Sequence, residues 1–170
     1  MKCSIPGSLE TDRLLLRRFA ESDWRDLHAY YSDAECMKYT IGRALSEGET
    51  WRSMATMLGH WQLRGYGPYA MEEKTTSRVL GPVGLWFPQD WPEPEIKWGL
   101  ARRFWGQGYA SEAARAVRDM AAAAMPDVSL ISLILPENTA SINLALSLGA
   151  EFEREIDFRG GKANIYRHLM

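Results

Sequence analysis

The segment Arg102-Arg103-Phe104-Trp105-Gly106-Gln107-Gly108-Tyr109-Ala110 carries the clearest chemical potential in the chain. Two glycines without side chains let backbone N–H groups gather around an anion, and the positive end of a following helix dipole favours a phosphate there. Arg102 and Arg103 beside the turn add charge-assisted hydrogen bonds to the same anion. The same glycines also suit a plain strand-to-helix connection flanked by solvated arginines, and residue types alone leave both readings open. Two other phosphate-binding patterns are excluded. The dinucleotide pattern Gly-x-Gly-x-x-Gly fails at Ser111, and no Gly-Lys-Ser or Gly-Lys-Thr follows for an ATPase loop. A dinucleotide-binding oxidoreductase also needs an acidic residue at the end of the next strand, whereas Asp127 stands at that strand's start. His28, His60 and His168 share no spacing, and Cys3 and Cys36 have no close Cys or His, so no metal site is expected.

The elements that must position this segment follow from periodicity and turn chemistry. Leu14 to Phe19 suits a strand, and a helix is expected from Asp23 to Tyr31. Ser46 and Glu49 form a capping box ahead of Trp51, Met54, Met57, Leu58 and Trp61 at helical spacing, which Gly65 ends. Tyr69 to Phe87 reads as a hairpin of two strands, with Lys74 to Ser77 as a further short run inside it. The three prolines between Pro88 and Pro94 make a loop, and Glu95 to Leu100 alternates as a strand. A long helix with a narrow, small-residue face spans Tyr109 to Met125, followed by a β-rich run from Val128 to Leu135. Asn138, after Pro136-Glu137, is placed to cap a helix through Leu148 that Gly149 closes. Glu151 to Phe158 and Lys162 to His168 form a final hairpin around Gly160-Gly161. The two strand-helix units after Glu95 put a parallel pair inside an otherwise antiparallel sheet.

The 170 residues suit one mixed α/β domain, with 46% apolar and 25% charged residues, enough for a real core and against global disorder. Twenty basic against 22 acidic residues, interleaved to a net charge of −2, argue against nucleic-acid binding through bulk charge. No uncharged apolar stretch approaches the roughly 18 residues that span a bilayer. Met1 to Glu10 lacks the apolar run of a secretory signal, and cysteine is scarce. The expectation is a cytoplasmic protein with neither membrane nor nucleic-acid partner.

Arg103-x-x-Gly106-x-Gly108-Tyr109-Ala110 is similar to the acetyl-CoA pyrophosphate loop of the GNAT superfamily of N-acetyltransferases. Glu95-Ile96-Lys97-Trp98-Gly99-Leu100, Phe104-Trp105-Gly106 and Glu112-Ala113 resemble the branch that includes ribosomal-protein N-terminal (alanine) and spermidine acetyltransferases. Pro136-Glu137-Asn138-Thr139-Ala140-Ser141, with Leu148-Gly149-Ala150, matches that branch's second signature, and the likeness runs over residues 9–168 as one domain. The resemblance implies a GNAT fold: a mixed, mostly antiparallel sheet of six to seven strands with a central splayed parallel pair, flanked by about four helices. It implies acetyl-CoA as acyl donor, with pantetheine between Glu95–Leu100 and Ser129–Leu135 like an added strand. Backbone amides of Arg103, Phe104, Trp105, Gly106, Gln107, Gly108 and Tyr109, continuing to Ala110, would receive the pyrophosphate. An N–H among Trp98, Gly99 and Leu100 would polarise the thioester carbonyl.

The same resemblance places Asn138 and Ser141 at the cofactor. Ser141 stands where a hydroxyl can protonate the departing thiolate, with a solvent-facing residue of the helix's first turn as its other reading, while Asn138 suits an N-cap as well as a cofactor contact. Many superfamily members carry a Tyr acid where this chain has Ala145, so that acid is excluded here. For the general base, acting through water, Glu95 comes first and Glu72 or Glu73 second, each with a surface-carboxylate reading beside it. Of the many aromatics, among them Trp51, Trp61, Tyr66, Trp86, Trp91 and Trp105, most suit the core, and some from the first two helices and the following loop suit an acceptor wall. The expected reaction is direct transfer of acetyl to a primary amine, either a peptide N-terminus or a small molecule. A non-catalytic acyl-CoA-binding module is the first alternative, and a dinucleotide-binding oxidoreductase, suggested only by Gly106-x-Gly108 at a strand-to-helix turn, is the second. The apolar final hairpin and exposed aromatics are compatible with a homodimer.

Overall fold

In the computed structural model, which describes residues 5–169, one eight-stranded sheet has the order β1-β2-β3-β4-β5-β6-β8-β7. Its strands are β1 (Ser8–Glu10), β2 (Leu14–Arg17), β3 (Pro68–Glu73), β4 (Val79–Trp86), β5 (Glu95–Trp98), β6 (Ile131–Ile134), β7 (Ala150–Phe158) and β8 (Gly161–His168). The helices are α1 (Trp24–Tyr31), α2 (Ala34–Met37), α3 (Glu47–Arg64), α4 (Tyr109–Ala124) and α5 (Thr139–Ser147). Every strand pairing is antiparallel except β5 with β6. No described helix is long and apolar enough to cross a membrane.

The mixed sheet with one central parallel pair follows the expected order, but it has eight strands rather than six to seven, and five α-helices rather than about four. The additions are β1, with three residues, and α2, with four, both too short to show a period. Thr75 to Ser77 belong to the turn of the β3–β4 hairpin, where Ser77 has φ 56°. Strand β6 starts later than expected because Val128 donates to Met125 in a turn that closes α4.

Local chemistry sets the helix ends. Ser46 Oγ accepts from the Glu49 N–H while the Glu49 carboxylate accepts from the Ser46 N–H, at 3.3 and 2.9 Å, and Gly65 ends α3 in the left-handed region. Helix α4 buries Ala113, Ala114, Val117 and Ala121, whose small side chains let it lie close against Leu16, Leu80 and Ile96. Helices α1 and α3 cover the other face through Leu27, Tyr30, Met54 and Met57. Full burial of one such Leu or Ile contributes roughly 1.5–3 kcal/mol, so the two layers hold β4 and β5 firmly from both faces. Close backbone approach is demanded at Gly99, where a Cβ would stand 2.4 Å from the Tyr30 ring of α1.

Alternation along β5 sets up the site. Ile96 faces the α4 core, so Glu95 and Lys97 face the opposite side.

Candidate active site

From the end of β5 the chain passes through a 3-10 turn (Arg102–Phe104) into Gly106 at φ 71° and Gly108 at φ 81°, the N-cap of α4. Left-handed backbone suits glycine, and it turns consecutive amides to one side. Phe104 and Trp105 donate to Ala101 and Arg102, and the first helical bond runs from Glu112 to Gly108. Between them, the N–H groups of Gly106, Gln107, Gly108, Tyr109, Ala110 and Ser111 meet no acceptor among the described residues, and no side chain caps the helix. A helix N-terminus with its amides left free in this way is suited to an anion.

The two arginines of the turn part company. Arg102 pairs with Asp33 at 2.8 Å, whereas Arg103 stacks on Phe104 at 4.6 Å and borders a recess of ≈ 430 Å³ with Glu73, Thr76, Arg78, Gln107 and Tyr109. Arg102 is therefore held by α2's N-cap residue instead of sharing an anion with Arg103. A third arginine, absent from the sequence reading, supports the loop. Arg13 donates to Gln107 O at 2.9 Å, pairs with Glu112 at 2.7 Å and lies 4.1 Å over the Tyr109 ring. Trp105 is largely exposed, but its indole N–H donates to Leu100 O at 2.8 Å and fixes the turn to the strand.

The parallel pair opens just beyond its first contact. Glu95 and Ile131 are its only register partners, with Ile131 N–H donating to Pro94 O at 3.0 Å. One residue further on, side chains replace the ladder. The Glu95 carboxylate accepts from Leu133 N–H at 3.1 Å, and Ser132 Oγ donates to Ile96 O at 2.8 Å. Since Ser132 spends its proton on Ile96, its oxygen accepts from His168 Nε2–H at 2.9 Å, which leaves His168 Nδ1 bare and buried without a partner. Burial pushes the His168 pKa down to about 4.

Past this wedge, Gly99 and Ala101 donate to Pro82 and Leu80 of β4. Alternation therefore turns the N–H groups of Trp98 and Leu100 away from β4, into the opening beside β6. The Trp98 indole reaches across to α5 and donates to Ser141 Oγ at 3.2 Å, so the Ser141 hydroxyl keeps its own proton free to donate. Asn138 caps α5 by accepting from Ser141 N–H at 3.3 Å, and Ala145 is fully buried between β6 and β7.

Glu95 is only 5% exposed, and burial raises its pKa to about 7, against weaker opposing effects of Lys97, the Leu133 N–H and Trp91. The alternative bases stand elsewhere. Glu72 is bound to Arg17 at 2.6 Å, and Glu73 takes the Tyr109 phenol and the Thr76 hydroxyl, which hold it ionised below the usual carboxylate range. Glu72 is paired with Val79 at one end of β4 and Glu95 with Trp86 at the other, roughly 23 Å along the strand. One amine cannot meet both carboxylates.

The remaining histidines and cysteines hold structural posts. His60 donates from Nδ1 to Tyr66 O and accepts the Phe87 N–H at Nε2, and His28 bonds Thr50. Cys36 is buried with its thiol 3.6 Å from Leu100 O, while Cys3 lies outside the described residues. Among the described residues, no three His, Cys, Asp or Glu side chains gather as a metal site would require.

Residues 13–151 match the family model described as an acetyltransferase (GNAT) domain, and the chain belongs to that family. It is 32% identical over 150 residues to the uncharacterized N-acetyltransferase p20 of Bacillus licheniformis, covering 87% of this chain and 83% of that one. The fold superimposes on an acetyltransferase from Agrobacterium tumefaciens with TM-score 0.86 and 28% identity, over 98% of this chain and 96% of the other. It also shares its fold, at TM-score 0.74 and 22% identity over 98% and 97% of the two chains, with RimL, a ribosomal L7/L12 alpha-N-protein acetyltransferase in complex with coenzyme A.

Proposed function

We propose that this protein transfers the acetyl group of acetyl-CoA to a primary amine by direct attack on the thioester. The observation that carries the reading is the continuity of one path: the opening between β5 and β6 leads along the free N–H groups of Trp98 and Leu100 to the uncapped N-terminus of α4. A coenzyme A relative with this fold supports it.

In this reading the amides from Gly106 to Ala110, with Arg103 beside them, hold the pyrophosphate. Phe104 and Trp105 shape the turn, and the 3-10 turn that begins it follows directly from the strand that holds pantetheine. Backbone at Trp98, Gly99 and Leu100 pairs with pantetheine as a neighbouring strand would, and an N–H there stabilises negative charge developing on the thioester oxygen. Glu95 removes the amine proton through an intervening water, with a pKa near neutrality that suits a base. As the C–N bond forms and the C–S bond breaks, the Ser141 hydroxyl, oriented by Trp98, returns a proton to the thiolate. Asn138 acts by holding Ser141's turn in place.

Thiol release from acetyl-CoA across a panel of N-terminal peptides, polyamines, amino acids and aromatic amines tests this. Release with one class of amine is the expected result. Tight acetyl-CoA binding with no release from any amine would replace the enzyme with an acyl-CoA-binding module, and absence of binding would remove the reading altogether.

A further inference from the structure

On the face of β5 turned away from α4, an aromatic wall surrounds two opposite charges. Trp86 stacks on His60 at 4.8 Å, Trp91 meets Trp86 edge-on at 6.2 Å, and Phe158 from the β7–β8 hairpin meets Trp91 at 5.1 Å. Both His60 nitrogens are bonded to backbone, so that ring is a fixed neutral part of the wall. Glu95 and Lys97 enter this space two residues apart, about 7 Å along the strand.

Lys97 is the unusual member. Its ammonium lies 4.7 Å over the Trp86 ring, and among the described residues it has neither an ion-pair partner nor a hydrogen bond. The adjacent Glu95 carboxylate is engaged by Leu133 N–H. Burial disfavours the Lys97 charge, Glu95 offsets part of that, and Arg159, stacked 4.7 Å over Trp91, adds a second cation on the same side. The Trp91 indole N–H is shielded from solvent and lies toward the Glu95 carboxylate without closing a hydrogen bond to it. A half-buried cation set against an aromatic ring, with no ion-pair partner, leaves a place for an anion from outside. The loop that carries Trp91 is tied to β7, β8 and the turn between them by Arg159–Asp90 and Arg167–Glu93 at 2.6 Å and Arg154–Glu93 at 3.4 Å, which holds the aromatic wall in place.

We propose that the acceptor is a small zwitterionic amine whose carboxylate pairs with Lys97, whose flat apolar body lies against Trp86, Trp91 and Phe158, and whose amine points to Glu95. This rests on the acetyl-transfer reading and on Glu95 as its base. The spacing supports it: amine and carboxylate must fit within the short distance that separates the two side chains on one strand.

The test compares kcat/KM for thiol release with an aromatic α-amino acid and with the arylalkylamine made by removing its carboxylate, at saturating acetyl-CoA. The wild type is expected to favour the amino acid by about 10-fold or more, as a charge-assisted contact would. Lys97→Met is expected to bring the ratio close to one, while Lys97→Arg keeps a preference for the carboxylate. Thermal unfolding and acetyl-CoA titration of both variants report whether they remain folded. Equal use of the two amines by the wild type, an unchanged ratio in folded Lys97→Met, or release with peptides alone would overturn the proposal while leaving acetyl transfer intact. Release with no amine at all would instead remove the acetyl-transfer reading on which it stands.

Discussion

The two ends of β5 offer different kinds of group. At its C-terminal end, from Trp98 through Gly108, the available groups are backbone amides turned outward by alternation and by two left-handed glycines. At its N-terminal end the available groups are side chains drawn from four separate segments: Glu95, Ser132 and His168, which are buried, and Lys97 and Trp91, which are half-buried. Main chain accommodates a constant ligand whatever the neighbouring side chains are. Side chains, by contrast, can differ between relatives that share the same fold, so under the proposed function the N-terminal end is where acceptor specificity can be written.

The sharpest way to break this contrast is at Glu95. Glu95→Gln is expected to lower kcat by about 100-fold or more while acetyl-CoA affinity is retained. The wild-type rate should climb as pH rises through about 7, and the variant should lose that limb, as a pH profile would show. Full activity in Glu95→Gln would make the residue only a spacer between the strands.

At the other end, Gly108→Val places a β-branched side chain at φ 81°, with its Cβ 3.3 Å from an Arg13 nitrogen. Acetyl-CoA affinity measured by calorimetry should weaken by about 100-fold, with the far-UV spectrum unchanged. The Glu95 end of the strand should keep its titration.

Acid sensitivity distinguishes the two buried titrating groups. For His168, whose folded pKa lies below its unfolded value of 6.5, the unfolded chain binds the extra proton first. Stability is therefore lost as pH falls from 6.5 toward about 4, by up to about 3 kcal/mol. Glu95 has the opposite sign: its folded pKa lies above 4.5, so the stability of its neutral form is lost as pH rises toward about 7. Urea unfolding between pH 4 and 8 should show both slopes, with His168→Gln removing the first and Glu95→Gln the second.

The smallest effect is expected at the wedge itself. Ser132→Ala strips Ile96 O of its donor and His168 Nε2–H of its acceptor, for a loss of about 2 kcal/mol in unfolding free energy. Acetyl-CoA binding should weaken less than in Gly108→Val, because the amides of the α4 N-terminus are untouched.

The glycine loop was legible because it is local: Arg103, Gly106 and Gly108 lie within six residues, and backbone conformation is decided by such short runs. The α3 capping box and the small-residue face of α4 were legible for the same reason. Arg13 was not, since its bond to Gln107 joins residues 94 apart in sequence. Nor were the contacts among His60, Trp86, Trp91 and Phe158, since Phe158 arrives from the last hairpin and His60 from α3. The final hairpin, read as apolar, turns out to present Glu151, Glu153, Arg154, Glu155 and Asp157 along the edge strand β7, a charged edge that discourages strand addition.

By itself, then, the amino-acid order determined the alternation of strands and helices, the one parallel pair and the left-handed glycine turn, because period, capping and glycine conformation act over a few residues. Only the tertiary structure decided that Glu95 is buried, that Arg102 is spent on Asp33, and that Lys97 stands unpaired against Trp86. Burial and charge pairing depend on what the rest of the chain packs against a residue, and no local pattern encodes that.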